Sequence, residues 1–294
     1  MAGELSRLND RTIMAQYGPI SLTIQAWDPS GPDLALAARA GEYSFGILPR
    51  IARARDLFRG KGVPLPDDLQ RPFREPVLEN MCTAVEAVAQ PGLGPMAAVA
   101  GAVADEVAQW LYRAGAVKAI VENGGDIALY LAPDQRAAVG VRTSLKDPYP
   151  RKCLEISGQL SAWWGIATSS GTGGRGLNRG LAEAAVCVAA GTGAGALADA
   201  AATAVSNSCF VESEAVQAVP AECLDPETDI PGILVTAAIG DLTPEEIDAA
   251  LDNSRGFAQS LVDREVILGS YIFFRGKDRL TAGFAEVAAP LVDL

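Results

Sequence analysis

The chain has 294 residues, 49% of them hydrophobic, with 30 Gly, 18 Pro and a formal charge of −12; this is ample for a packed core in one large domain or two smaller ones. It has no dense Lys/Arg run with which to displace counterions or coat a lipid surface, so neither nucleic acid nor membrane is expected as a partner. Histidine is absent altogether, which excludes Ser-His-Asp and Cys-His catalysis and HExxH zinc chemistry, and leaves carboxylates, hydroxyls, amides or a hard cation for any reaction.

From the start of the chain, "MAGELSRLNDRTIMAQYG" contains neither an apolar leader region nor a lipidated-cysteine pattern, and no apolar stretch is long enough to span a bilayer. The five cysteines (Cys82, Cys153, Cys187, Cys209, Cys223) form no C-x-x-C pair and read as reduced thiols, so the expected location is the cytoplasm. "PISLTIQAW" (Pro19–Trp27) alternates like a strand, with a partner strand expected before it. Asp33–Phe58 is partly helical, with interruptions expected at Gly46 and Pro49, and "GKGVPLPDDLQRP" (Gly60–Pro72) is a proline-rich surface loop. Helices are predicted over Glu75–Gln90 and Gly94–Gly115, the second stopping at its glycine.

"VKAIVENGGDIALYL" (Val117–Leu131) is two strand-like runs around a turn suited to positive φ. Short strands follow in "AAVGVRT", "CLEISGQL", "WWGIATSSG" and "LAEAAVCVAAG", then an alanine-rich helix carrying Asp199, and a strand in "PGILVTAAIG". Thr243 and Glu246 form a capping box with Pro244 at the first helical position, and "LGSYIFFRG" is a final strand. Two blocks of helices separated by antiparallel strands predict an α+β fold made from a duplicated unit.

Three places have the residues for chemistry. Asn123, Gly124, Gly125 and Asp126 form either an ordinary hairpin turn or one whose glycines let a ligand approach the main chain. "ATSSGTGGRGLNRG" contains a G-x-G-x-x-G at Gly171, Gly173 and Gly176. A dinucleotide fingerprint there would need a helix opening at the last glycine, and loop and strand follow instead. What remains is a Ser/Thr/Gly loop with Arg175 and Arg179 available to an anion. The third place is the strand, glycine loop and helix of "VCVAAGTGAGALADAAATAV", whose helix start is expected to offer free amides. Asp199 and Thr203 lie four residues apart, about 40° around one helix face. Each has a bland role, as a cap and as a back-bonded hydroxyl; together they are also two of the oxygen ligands of a Mg2+ site completed by phosphate and water.

Read in order, these segments resemble the FAD:protein FMN transferase (ApbE-like) family. The matching motifs are Leu93-Gly94, "AGAVKAIVENGGDI" ending at Ile127, "GIATSSG" at Gly165–Gly171 and "ADAAATA" at Ala198–Ala204. The resemblance implies the ApbE-like fold over residues 1–294 as a single domain, with the motif-bearing core at about 90–207. It implies a flavin nucleotide (FAD or FMN) or a related small phosphorylated ligand near Asn123, Gly124, Gly125, Asp126, Thr168, Ser169, Ser170 and Gly171. It also implies Mg2+ held by Asp199 and Thr203. The acidic residue usual before "LG" is replaced by Gly92, and the usual "AKG" lysine by a run of Ala and Val. FMN transfer is therefore expected to be slow or absent, and no catalytic residue is assigned. Two other readings stand beside this one: a non-flavin enzyme acting on another small phosphorylated or acidic substrate, and a non-catalytic metabolite-sensing or assembly protein. The oligomeric state is left open, a homo-oligomer included.

Overall fold

A computed structural model describes residues 3–58, 75–143, 149–150, 152–171, 177–282, 284 and 292–293. The proline-rich loop predicted at Gly60–Pro72 lies outside these, as do Gly173, Arg175 and Gly176. Strands β1 (Glu4–Arg7), β2 (Ile13–Tyr17), β3 (Ile20–Asp28) and β4 (Gly31–Pro32) come first, then helices α1 (Leu34–Ser44), α2 (Ile47–Phe58), α3 (Pro76–Val88) and α4 (Val99–Arg113). Next are β5 (Lys118–Asn123), β6 (Asp126–Leu131), β7 (Arg136–Val141), β8 (Lys152–Ser157), β9 (Trp163–Ser169) and β10 (Ala184–Ala190). Helix α5 (Ala194–Ser208), β11 (Val216–Pro220), β12 (Leu234–Ile239), α6 (Pro244–Asp263), β13 (Gly269–Phe274), β14 (Lys277–Leu280) and β15 (Val292–Asp293) complete the order.

The main sheet is antiparallel, in the order β1-β2-β3-β5-β6-β9-β10-β13-β14, with β4 attached to β3. One face carries the helices over a core that includes Leu22, Ile24, Met81, Val107, Leu111, Ala202 and Leu251. The other face is covered in part by the three-stranded sheet β15-β8-β7, through Leu129, Leu131, Leu154, Ile156, Trp164 and Val188. This double coverage explains why β10 reads as an unbroken apolar run, whereas β3, with one face less covered, alternates. The duplicated layout is visible in the connections. β3 leaves the sheet through helices, returns as its antiparallel neighbour β5 and turns into β6; β10 does likewise through α5 and α6 to β13 and β14.

The predicted helix N-terminus at Thr243 forms as expected. Its hydroxyl accepts from the Glu246 amide at 3.2 Å, while the Glu246 carboxylate accepts from the Thr243 amide at 2.8 Å. Pro49 does not interrupt a helix: it lies in the first turn of α2, where its missing N–H removes no helical bond. The chain breaks instead at Phe45 and Gly46. β13 is not the last strand, since Arg275 and Gly276 turn the chain back into β14 through residues of positive φ.

The helical layer is tied together at α4. Glu106, which is buried, accepts from the Tyr43 hydroxyl at 2.6 Å and pairs with Arg50 at 3.2 Å; Arg50 also reaches Glu75 at 3.1 Å. Arg50 thus joins α2 to α4 and to the start of α3. Arg50→Met leaves the buried Glu106 carboxylate with only the tyrosine, and is expected to cost about 2 kcal/mol in a urea melt. A loss near zero would mean that Tyr43 alone satisfies Glu106.

Candidate ligand-binding site

The site is built around a helix crossing. α5 packs over β9 and β10, and α4 over β5 and β6. The two helices touch at Gly101 and Gly195, where a methyl group on Gly101 would run into the Gly195 carbonyl. Each glycine is followed four residues later by an aspartate, and side chains on a helix lean toward its N-terminus. Each carboxylate therefore reaches back across the crossing onto the first turn of the other helix. Asp105 accepts from the amides of Gly195 and Ala196 at 3.0 and 2.8 Å. Asp199 accepts from the amide of Gly101 at 2.9 Å and is also bonded by that of Ala100. The helices cap one another, filling first-turn donors that have no intrahelical partner.

This corrects one expectation. The amide of Ala194 goes to the Gly191 carbonyl and the next two go to Asp105, so the start of α5 does not present free amides to a ligand. Asp105 was missed from sequence, although a signal was present. The pattern Ala-Gly-Ala-x-Ala-Asp occurs twice, at Ala100–Asp105 and Ala194–Asp199.

The β5–β6 turn meets this crossing. Gly124 and Gly125 have φ of 70° and 111°, and no atom stands within 4 Å of where a side chain would begin on either. Asn123 is buried and donates to the Ala100 carbonyl at 3.2 Å, fixing the turn to the residue before Gly101. The Asp126 carboxylate accepts from the Thr168 amide at the end of β9. Asp126 also acts on Asp199 by charge, so Asn123, Asp126, Thr168 and Asp199 come together from four elements. Thr203 is half-buried one turn beyond Asp199, and its hydroxyl has no hydrogen-bond partner among the described residues. Ser169, Ser170 and Gly171 are held elsewhere. The Asn178 amide donates to the Ser170 carbonyl at 2.9 Å and to the Ser169 hydroxyl at 3.4 Å, and the Gly171 amide donates to Ala182 at 2.7 Å. Arg179 lies over the Phe210 ring at 4.0 Å.

The site is acidic. Burial pushes the Asp105 carboxyl up to about 7 against the pull of its two amides. Burial, with the charge of Glu122 adding to it, pushes Asp126 up to about 7. Asp199 stands well above the ordinary carboxylate range, from burial first, then from the charge of Asp126 and of Asp105. Among the described residues no group of three or more Cys, Asp or Glu is arranged to hold a metal alone. A cation here would need further oxygens from a ligand or water. The donor set itself (two mutually repelling carboxylates and a hydroxyl) suits a hard cation such as Mg2+.

A carboxyl whose pKa is raised by folding keeps a proton that the unfolded chain releases near pH 4; its stabilisation is complete below that pH and is lost as pH rises to about 7. Urea melts should show the unfolding free energy falling from about pH 5 to about pH 7, with a shallower slope in Asp105→Asn. Equal slopes in the two proteins would show that Asp105 is ionised throughout that range.

Three kinds of comparison bear on this architecture. A "UPF0280 protein" of Methanothrix thermoacetophila is 36% identical over 143 residues, 49% of this chain and 56% of that protein. Another, of Methanosarcina acetivorans, is 39% identical over 126 residues, 43% of this chain and 47% of that protein. The chain thus spans about half the length of the curated relatives it matches. "Flavin Transferase ApbE from Vibrio cholerae" superposes with a TM-score of 0.50 over 97% of this chain and 99% of that one, at 11% identity, which is a likeness of fold. The family model described as "AbpE bacteria" matches residues 5–280. With nearly its whole length matched, the chain belongs to that family, within the ApbE-like superfamily.

Proposed function

We propose that this chain binds a flavin nucleotide, FAD or FMN, or a closely related phosphorylated ligand, together with Mg2+, at the meeting point of Asn123–Asp126, Thr168 and Asp199. The observation that carries this reading is the placement of Asp126 beside Asp199 at a helix crossing. A buried carboxylate and a half-buried one repel each other and would repel a phosphate. A divalent cation removes both conflicts, with Asp199 and Asp126 as its anionic ligands, Thr203 as a neutral one, and phosphate and water completing its shell. Gly124 and Gly125 leave room for a ligand to approach the main chain. Ser169, Ser170 and Gly171 follow Thr168 directly in the chain, with Asn178 bonded to the two serines. The fold likeness to a protein titled a flavin transferase supports flavin as the ligand class.

When bound, Mg2+ supplies charge neutralisation at a phosphate; the chain's own residues bind and orient. FMN transfer would be slow or absent, since "MAAVAGAVAD" has no lysine and Gly92 no carboxylate. The continuity of the helical core, from Ile13 to Phe274, supports residues 1–294 acting as one unit. Among the described residues no helix is long and apolar enough to cross a membrane, and five unpaired cysteines support a cytoplasmic setting.

Calorimetric titration of the purified chain with FMN and with FAD, in Mg2+ and in chelator, tests the reading. Affinity about tenfold or more higher in Mg2+ is expected for at least one of them. No binding of either, or equal binding with and without the cation, overturns it.

A further inference from the structure

Asp105 stands outside the set of residues placed around the ligand, yet it is buried at the same crossing. We infer that Asp105 is a positioning residue: through the amides of Gly195 and Ala196 it fixes the start of α5, and thereby sets where Asp199 stands relative to Asp126. The inference rests on the proposed ligand site for its functional consequence, but its structural content is independent of any ligand.

The geometry is reciprocal. Both oxygens of Asp105 are engaged by α5, and Asp199, one turn further along α5, returns a bond to Gly101 on α4. Asn123 then joins the same unit, since it donates to Ala100, whose amide is bonded by Asp199. The spacing between helices at this point is set by the glycines, because a side chain on Gly195 would begin 2.8 Å from the Asp105 Oδ1 atom and from the Gly101 carbonyl. Removing the Asp105 bonds therefore frees the α5 start to move away, and with it the carboxylate at Asp199. A local cap would do less. It would protect Gly195 and Ala196 and leave Gly101 and the Asn123 turn unaffected.

Residue-resolved hydrogen exchange on the wild-type chain separates these cases without any variant. The inference expects the amides of Ala100, Gly101, Gly195 and Ala196 to exchange through one opening, with a shared free energy and a shared denaturant dependence. In Asp105→Asn, which keeps one acceptor of two, Gly101 exchange should accelerate about tenfold along with that of Gly195. Ile156→Val, in the core on the other sheet face, serves as a control for general destabilisation. In the same variant, FMN affinity in saturating Mg2+ should fall about tenfold, and the control should bind as the wild type does. Separate openings for Gly101 and Gly195 in the wild type overturn the inference. So does a variant in which Gly195 and Ala196 lose protection while Gly101 keeps it. Wild-type chain that binds no FMN refutes the ligand reading instead, and the exchange result still decides the role of Asp105.

Discussion

Gly101→Ala is expected to lower the thermal midpoint by roughly 10 °C, corresponding to about 3 kcal/mol for a chain of this size. The sign is the informative part. Alanine is the better helix former by about 1 kcal/mol, so propensity alone predicts a more stable protein. At Gly101 the added methyl meets the Gly195 carbonyl and the start of α5, which are backbone and cannot rotate away. The two helices must separate, and the amide bonds to Asp105 and Asp199 stretch with them. Gly165 in β9 is a second point of this kind, because a methyl there would meet the Ala194 carbonyl. Gly256 in α6 is the control: it is exposed, nothing stands within 4 Å of a methyl there, and Gly256→Ala should raise stability by about 0.5–1 kcal/mol. Thermal melts of the two variants should move in opposite directions. A neutral Gly101→Ala would mean that the crossing is looser than its geometry indicates.

Asp199→Asn is expected to separate stability from binding. The amide oxygen still accepts from the Gly101 N–H, so part of the cap on α4 survives, while the charge that Asp126 opposes is removed. At about pH 8, above the value near 7 to which Asp126 is pushed, the variant should be as stable as the wild type or more so. Its Mg2+-dependent affinity for the flavin nucleotide should fall about a hundredfold, near 2.7 kcal/mol, since the cation loses an anionic ligand. Asp199→Ala should lose the cap as well, at a further cost of about 1–2 kcal/mol in stability. Chemical denaturation and calorimetry on the same preparations measure both quantities. Unchanged affinity in Asp199→Asn would reduce Asp199 to a cap. A destabilised Asn variant that still binds would show that the carboxylate serves the fold rather than a ligand. Such an exchange of stability for function is ordinary where like charges are held together for a purpose.

The elements were legible wherever the signal is local. The Thr243 capping box, the Asn123–Asp126 hairpin, the glycine that ends α4 and the apolar run of β10 each declare themselves within a few residues, because caps, turns and periodicity act over one or two turns of chain. The motif residues Asn123, Asp126, Thr168 and Asp199 were also legible, through their order along the chain. Ser169, Ser170 and Gly171 belong to the same motif, yet Asn178 anchors them, and nothing in the local sequence distinguishes that asparagine from a solvated loop residue.

What sequence alone determined, then, is most of the helices and central strands and the motif residues that make the chain ApbE-like, whereas β14 escaped it. The tertiary structure decided which helix start each buried aspartate would cap. Asp105, in an "ADE" at mid-helix, reads as a solvated charge until α5 is laid across α4. Its partner Gly195 is 90 residues away, and no periodicity extends so far. The physical reason lies in the sheet. Only when β6 pairs with β9 do α4 and α5 come to lie side by side on one face. Glycine at both contact points then lets the backbones close to where a carboxylate can span the gap, and the amides at each helix start, without partners in their own helix, find them in the other.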